Sequence, residues 1–199
     1  MKNLTATICL TIAVLLGSTG VSWSADFQKG LTAYISGDFA TALREWTPLA
    51  KQGNAVAQYN LGLMYNEGQV VPQDYKTAVK WWKLAAEQGY ARAQNNLGLM
   101  YDNGQGVPQD YKTAVKWLKL AAEQGDVLAQ INLGTMYAKG QGIIRDYAYA
   151  HMWWTTPASL GYEYAVKNRD IVAKRMTSSQ LETAQKLARE CVRKKYKGC

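Results

Sequence analysis

The segment NLGLMYNEGQVVPQDYKTAV at residues 60–79 returns at residues 96–115 as NLGLMYDNGQGVPQDYKTAV, 36 residues later. Residues 55–90 and 91–126 are identical at 29 of 36 positions, and 127–162 continue the frame with more drift. Self-similarity at a fixed period of this length signals a solenoid, because one unit cannot bury its own apolar side and must stack on the next. With 48% hydrophobic residues the chain has the material for such a core and is not a largely disordered polymer.

Each unit reads as two helices. In the first, Ala57, Leu61, Met64 and Tyr65 recur at helical spacing, and Gly68 ends the stripe before a turn containing Pro72. Asp74 is a good N-cap for the second helix. There Tyr75, Ala78, Trp82 and Ala85 share one side, while Lys76, Lys80, Lys83 and Glu87 share a solvated one, and Gly89 is the stop. Gly62, Gly98 and Gly134 fall in mid-helix, where glycine costs about 1 kcal/mol relative to alanine. Paying that at one register three times points to helices packed too closely for a side chain. Trp81, Trp117 and Trp153 recur in register, and Trp82 and Trp154 alternate with Leu118, as core-filling residues do.

Upstream, Asp38-Phe39-Ala40-Thr41-Ala42-Leu43 matches Asp74–Val79, so residues 25–54 form a short helix pair with a loop expected to be five residues shorter. Downstream, 163–175 and 178–194 read as a last pair, Thr177 and Gln180 having capping-box spacing. This pair is basic. Residues 163–199 carry 10 Lys/Arg against 4 Asp/Glu, whereas 25–162 are nearly balanced, so 163–199 suit the polar end cap a solenoid needs. Pro157 stands where Ala85 and Ala121 stand, which predicts a kink or restart near Thr156.

Residues 1–24 have Lys2, a short apolar run at 8–17 and Ser22-Trp23-Ser24 before Ala25, the pattern of a cleaved secretory signal. The run is too short to span a bilayer, which needs about 20 residues. Export would leave Cys191 and Cys199 as an even pair suited to a disulfide. Eight helical residues would hold them about 12 Å apart, so a bond requires the chain to fold back, with Lys197-Gly198 the expected place.

The pattern Ala57-Gln58-x-Asn60-Leu61-Gly62-x-Met64-Tyr65, then Gly68, Val71, Asp74-Tyr75, Ala78, Trp81, Ala85-Ala86 and Gly89, resembles the Sel-one-like repeat (SLR) family, relatives of tetratricopeptide repeats. The resemblance implies an all-α, right-handed αα superhelix. Its implied role is that of an adaptor holding a partner protein or peptide on the concave face, in an exported, periplasmic or secreted setting. Unlike the cysteine-rich members, this chain has no cysteine within its repeats.

Positions that change among the three units are Val56/Arg92/Leu128, Tyr59/Asn95/Ile131, Leu63/Leu99/Thr135, Asn66/Asp102/Ala138 and Glu67/Asn103/Lys139. Their spacing places them on one face of the first helix. Residues free to change are not needed to hold the stack. The face is therefore the expected partner groove, although an unselected solvent face would vary in the same way.

Other chemistry is sparse. Some relatives in this family have been described as penicillin-binding or β-lactam-hydrolysing, but neither Ser-x-x-Lys nor Lys-Thr-Gly occurs. Thr77–Lys80 has related spacing and recurs at Thr113–Lys116 inside the repeated helix, which marks it as structural. His151, the single histidine, replaces Val79 and Val115 and reads as a packed helix residue. No metal-ligand set, phosphate loop or cofactor motif is present in the sequence, and catalysis is not expected. Arg189, Arg193, Lys194, Lys195 and Lys197 offer a basic tail, either a solvated end cap or a contact for anionic surfaces. Nucleic acid is not expected as a partner, since the tail has a single stacking residue, Tyr196.

Overall fold

The computed structural model describes residues 27–199, so the expected signal segment and Cys9 lie outside the described residues. The described chain is all helix: α1 (27–35), α2 (Phe39–Lys51), α3 (Ala55–Glu67), α4 (Tyr75–Glu87), α5 (Ala91–Asn103), α6 (Tyr111–Ala122), α7 (Val127–Lys139), α8 (Tyr147–Ser159), α9 (Glu163–Ala173) and α10 (Ser178–Arg193). From α2 to α9 each helix packs on the next in chain order. The result is a solenoid in which α3, α5 and α7 are the first helices of the repeats and α4, α6 and α8 the second.

Local chemistry sets most of the boundaries in the repeats. Asp38, Asp74, Asp110 and Asp146 cap α2, α4, α6 and α8 through their carboxylates, and Gly68, Gly104 and Gly140 end α3, α5 and α7 in the left-handed conformation. Thr77 Oγ1 donates to Asp74 Oδ2 and Thr113 Oγ1 to Asp110 Oδ2, each at 2.6 Å. The Thr-x-x-Lys hydroxyls are thus committed to capping.

Two of the three mid-helix glycines meet tryptophan and the third meets leucine. A Cβ on Gly62 would strike the Trp82 indole, one on Gly134 would come within 2.6 Å of Trp154 Nε1, and one on Gly98 within 2.8 Å of Leu118 Cγ. The N-terminal pair repeats the device with Gly30 and Trp46. The indole N–H groups of the two repeat tryptophans that face these glycines are satisfied as well: Trp82 Nε1 donates to Tyr59 O at 3.1 Å and Trp154 Nε1 to Ile131 O at 3.0 Å. Each tryptophan therefore locks the second helix of a unit onto the first by shape and by one hydrogen bond.

A glutamine ladder links one unit to the next. Gln58, Gln94 and Gln130 donate to the carbonyls of Ala50, Ala86 and Ala122, and Gln88 and Gln124 each donate at 2.7 Å to Oε1 of Gln58 and Gln94. The ladder breaks at its last rung. Leu160 stands where Gln88 and Gln124 stand, and Gln130 Oε1 is buried without a partner. Leu160→Gln is expected to supply the missing donor and to stabilise the fold by about 1 kcal/mol. Thermal unfolding checks this; an unchanged or lowered midpoint would contradict it.

Three expectations need correction. The loop of the N-terminal pair, 36–38, is four residues shorter than 68–74, not five. Helix α8 runs uninterrupted through Pro157 rather than restarting: the proline forgoes the single bond its N–H would give to the carbonyl four residues back, and the turn closes beyond it through Leu160 N–H, which donates to Thr156 O and Pro157 O. The last two helices do not form an ordinary pair. Helix α10 packs on α8, with Ala188 and Cys191 joining a core that includes Leu118, Met152 and Trp153, and no comparable packing joins α10 to α9.

Cys191 and Cys199 are disulfide-bonded with Cα atoms 5.6 Å apart. The chain turns back at Lys195 and Tyr196, whose φ values are 52° and 66°, and again at the expected Gly198, at 68°. Tyr196 N–H donates to Cys191 O at 2.9 Å, and the Tyr196 ring lies over Gly125. No helix among the described residues is long and apolar enough to cross a membrane.

Candidate functional site: a groove across the first helices

Four of the variable residues expected to bind a partner line one cavity of about 450 Å3: Tyr59 from α3, Arg92 and Asn95 from α5, and Leu128 from α7. Asn96, Gly125, Asp126, Val127 and Tyr162 complete its wall. The stack brings these residues together because each comes from the first turns of a first helix, or from the N-cap before one.

Exposure divides the expected set. Val56, Arg92 and Leu128 occupy one register and are exposed, Leu128 at 54%. In α9, the helix that follows the three repeats, Tyr164 holds the same register and is also exposed. Leu63, Asn66, Leu99, Asp102 and Thr135 are half-buried and lie outside the cavity. Asn95 and Ile131 are only 4% and 9% exposed, so they are not free surface. Asn95 Oδ1 accepts from Asn132 Nδ2 at 2.9 Å, and Ile131 packs with Ala150, Trp154 and Val172. Variation at this register therefore includes core adaptation between units, which the sequence argument had excluded.

The electrostatics are mild. Burial pushes the Tyr59 phenol up, with Arg92 nearby opposing, and the ring lies 5.1 Å from that of Tyr90. Burial also raises the Asp102 carboxyl, opposed by Lys139. Thr135 Oγ1 donates to Ile131 O and lies 3.3 Å from the Tyr164 hydroxyl. The groove thus offers a cation at Arg92, an anion at Asp126, and aromatic and aliphatic surface between.

Sequence reasoning missed one further register. Positions 54, 90, 126 and 162, the N-caps of α3, α5, α7 and α9, read Asn, Tyr, Asp, Tyr. Asn54 and Asp126 cap their helices, whereas Tyr90 and Tyr162 make no side-chain cap bond. Losing such a cap costs about 1 kcal/mol. Alternation of tyrosine with good caps was the available signal, and both tyrosines turn up beside the groove, Tyr162 in its wall and Tyr90 against Tyr59.

The Sel1 repeat family model matches residues 55–90, 91–126 and 127–162. Among solved structures, the chain is similar to c5321, a protective antigen of uropathogenic Escherichia coli displaying an SLR fold. The identity is 28% and the TM-score 0.62, over 87% of this chain and 46% of that one. It thus spans about half the length of the E. coli protein. It is also similar to a Sel1 repeat protein from Oxalobacter formigenes, at 32% identity and a TM-score of 0.68, over 81% of this chain and 70% of that one. Comparison with curated proteins gave no match. Sel1 repeats generally serve as non-catalytic scaffolds for protein–protein interaction. With three consecutive repeats over more than half its length, the chain belongs to the Sel1 repeat family.

Proposed function

We propose that the protein is an exported, non-catalytic adaptor of the cell envelope that binds an extended segment of a partner protein across its first helices. The observation that carries this is the register Val56–Arg92–Leu128–Tyr164, one exposed side chain per unit, running beside the cavity lined by Tyr59, Asp126 and Tyr162. Such a row suits a peptide presenting apolar side chains with an acidic one opposite Arg92, since tyrosine, arginine and aliphatic anchors dominate binding energy at protein interfaces. The two tyrosines at N-cap positions support the reading, because they give up helix stability where a ring meets the groove. Export is supported by the signal-like residues 1–24 and by the disulfide between Cys191 and Cys199.

The test is selection of peptides from a random display library on the oxidised chain, followed by titration of the best binder. Arg92→Ala and Leu128→Ala should each weaken it about tenfold or more, while the melting temperature stays unchanged because both side chains are exposed. Binding that survives the double variant would remove the groove from the account.

A further inference from the structure

A second cavity, of about 640 Å3, lies between α8, α9 and α10, at the opposite end of the solenoid from the N-terminal pair. Its origin is legible in the repeat frame. In the first four units the residue eight positions after the second helix's Asp cap fills against a first-helix glycine: Trp46 on Gly30, Trp82 on Gly62, Leu118 on Gly98, Trp154 on Gly134. Counting eight from the Thr177 cap of α10 gives Gln185, and the α9 residue in register with Gly134 is Asp170. Arg169 likewise replaces the fully buried Leu133. The apolar plug is gone, α10 rests on α8 instead of α9, and Arg169, Asp170 and Gln185 line the space left between them.

The wall is chemically selective. Leu181, Ala188 and Val192 give it an aliphatic side with no aromatic ring except His151, which is 6% exposed and whose Nδ1 has no hydrogen-bond partner. Histidine stands here where earlier units have Val79 and Val115, so the polar substitution occurs only in the unit that borders the cavity. Burial, reinforced by Arg169 and opposed by Asp170, holds the imidazole below its usual range, leaving it neutral near pH 7 with one donor and one acceptor. Arg169 donates twice to Asp170 Oδ1, at 2.9 and 3.0 Å, while Arg189 has no ion-pair partner among the described residues.

We propose that this cavity binds a carboxylate carried on a short aliphatic chain, Arg189 taking the carboxylate and Leu181, Ala188 and Val192 the chain. One uncommitted guanidinium matches a singly charged carboxylate through two parallel N–H bonds, whereas a phosphate dianion would call for further donors. The volume falls within the ordinary range for small-ligand pockets, about 300–1,000 Å3. The site is separate from the groove on the first helices and does not depend on it. The same chemistry is found in a free medium-chain fatty acid and in the C-terminus of a peptide ending in an aliphatic residue.

Calorimetric titration of the full oxidised chain tests this with four probes: octanoate, octanamide, and acetyl-Ala-Val-Leu with a free or an amidated C-terminus. At least one acid should bind, and its amide should bind about tenfold more weakly or worse. Preference for octanoate assigns a lipid-type ligand, and preference for the tripeptide acid a peptide end. Arg189→Gln, at an exposed position, should weaken the acid about tenfold, and Asp170→Gly with Gln185→Trp should refill the space and abolish binding. Absence of binding by both acids up to about 5 mM, equal binding of acid and amide, or indifference to Arg189→Gln would overturn the proposal.

Discussion

Replacing Trp82 with alanine is expected to destabilise the fold by about 4 kcal/mol, the middle of the range for a buried aromatic truncation. The side chain fills the space above Gly62, is almost fully buried, and donates to Tyr59 O at 3.1 Å, so its removal leaves a cavity and loses one hydrogen bond. The companion change has a sign that local propensity alone would get wrong. Alanine is better than glycine inside a helix by about 1 kcal/mol, yet Gly62→Ala should destabilise by about 2 kcal/mol because its methyl strikes the indole. In the Trp82→Ala background the obstruction is gone, and Gly62→Ala should become neutral or favourable. Urea unfolding of the four proteins measures this coupling. Additive effects would mean that Gly62 is not there to receive Trp82.

The second large effect lies in the loops. Gly106 and Gly142 have φ of 71° and 68°, and a Cβ on either would strike the first-turn backbone of the preceding second helix, at Tyr75 and Tyr111. Neither the strained φ nor a backbone neighbour can relax cheaply, so Gly142→Ala is expected to destabilise by about 3 kcal/mol. The same position in the first repeat is Val70, also at φ 68°, but 56% exposed rather than pressed against a preceding unit. A β-branched residue there is strained without being obstructed. Val70→Gly should therefore stabilise by about 1 kcal/mol, opposite in sign to the change at Gly142. Denaturant midpoints for the two variants check the pair, and equal shifts would contradict the packing argument.

The fold was legible because near-identical units leave few ways to bury the same stripe. The glycines at 62, 98 and 134 announced close approach, and Asp74 with Gly68 and Gly89 marked the boundaries. The groove was half legible. Comparing units finds positions that differ, and a position differs either because it faces a partner, as the exposed Arg92 and Leu128 do, or because a buried contact was rebuilt. Asn95 bonded to Asn132 is the second kind. Tyr162 escaped notice because it precedes the helix whose face was being read. The end of the chain was least legible. Asp170 and Gln185 look like ordinary surface residues until the caps set the frame and show that they replace a glycine and a tryptophan. Nothing in the repeat pattern said that α10 would lie on α8.

Amide hydrogen exchange, recorded with and without a peptide selected on the chain, tests the central claim most directly. The account predicts slowed exchange at the starts of α5, α7 and α9, where Arg92, Leu128, Tyr162 and Tyr164 meet the ligand, with α4 and α6 unchanged. Protection confined to α4 and α6 would place recognition on the second helices and contradict it.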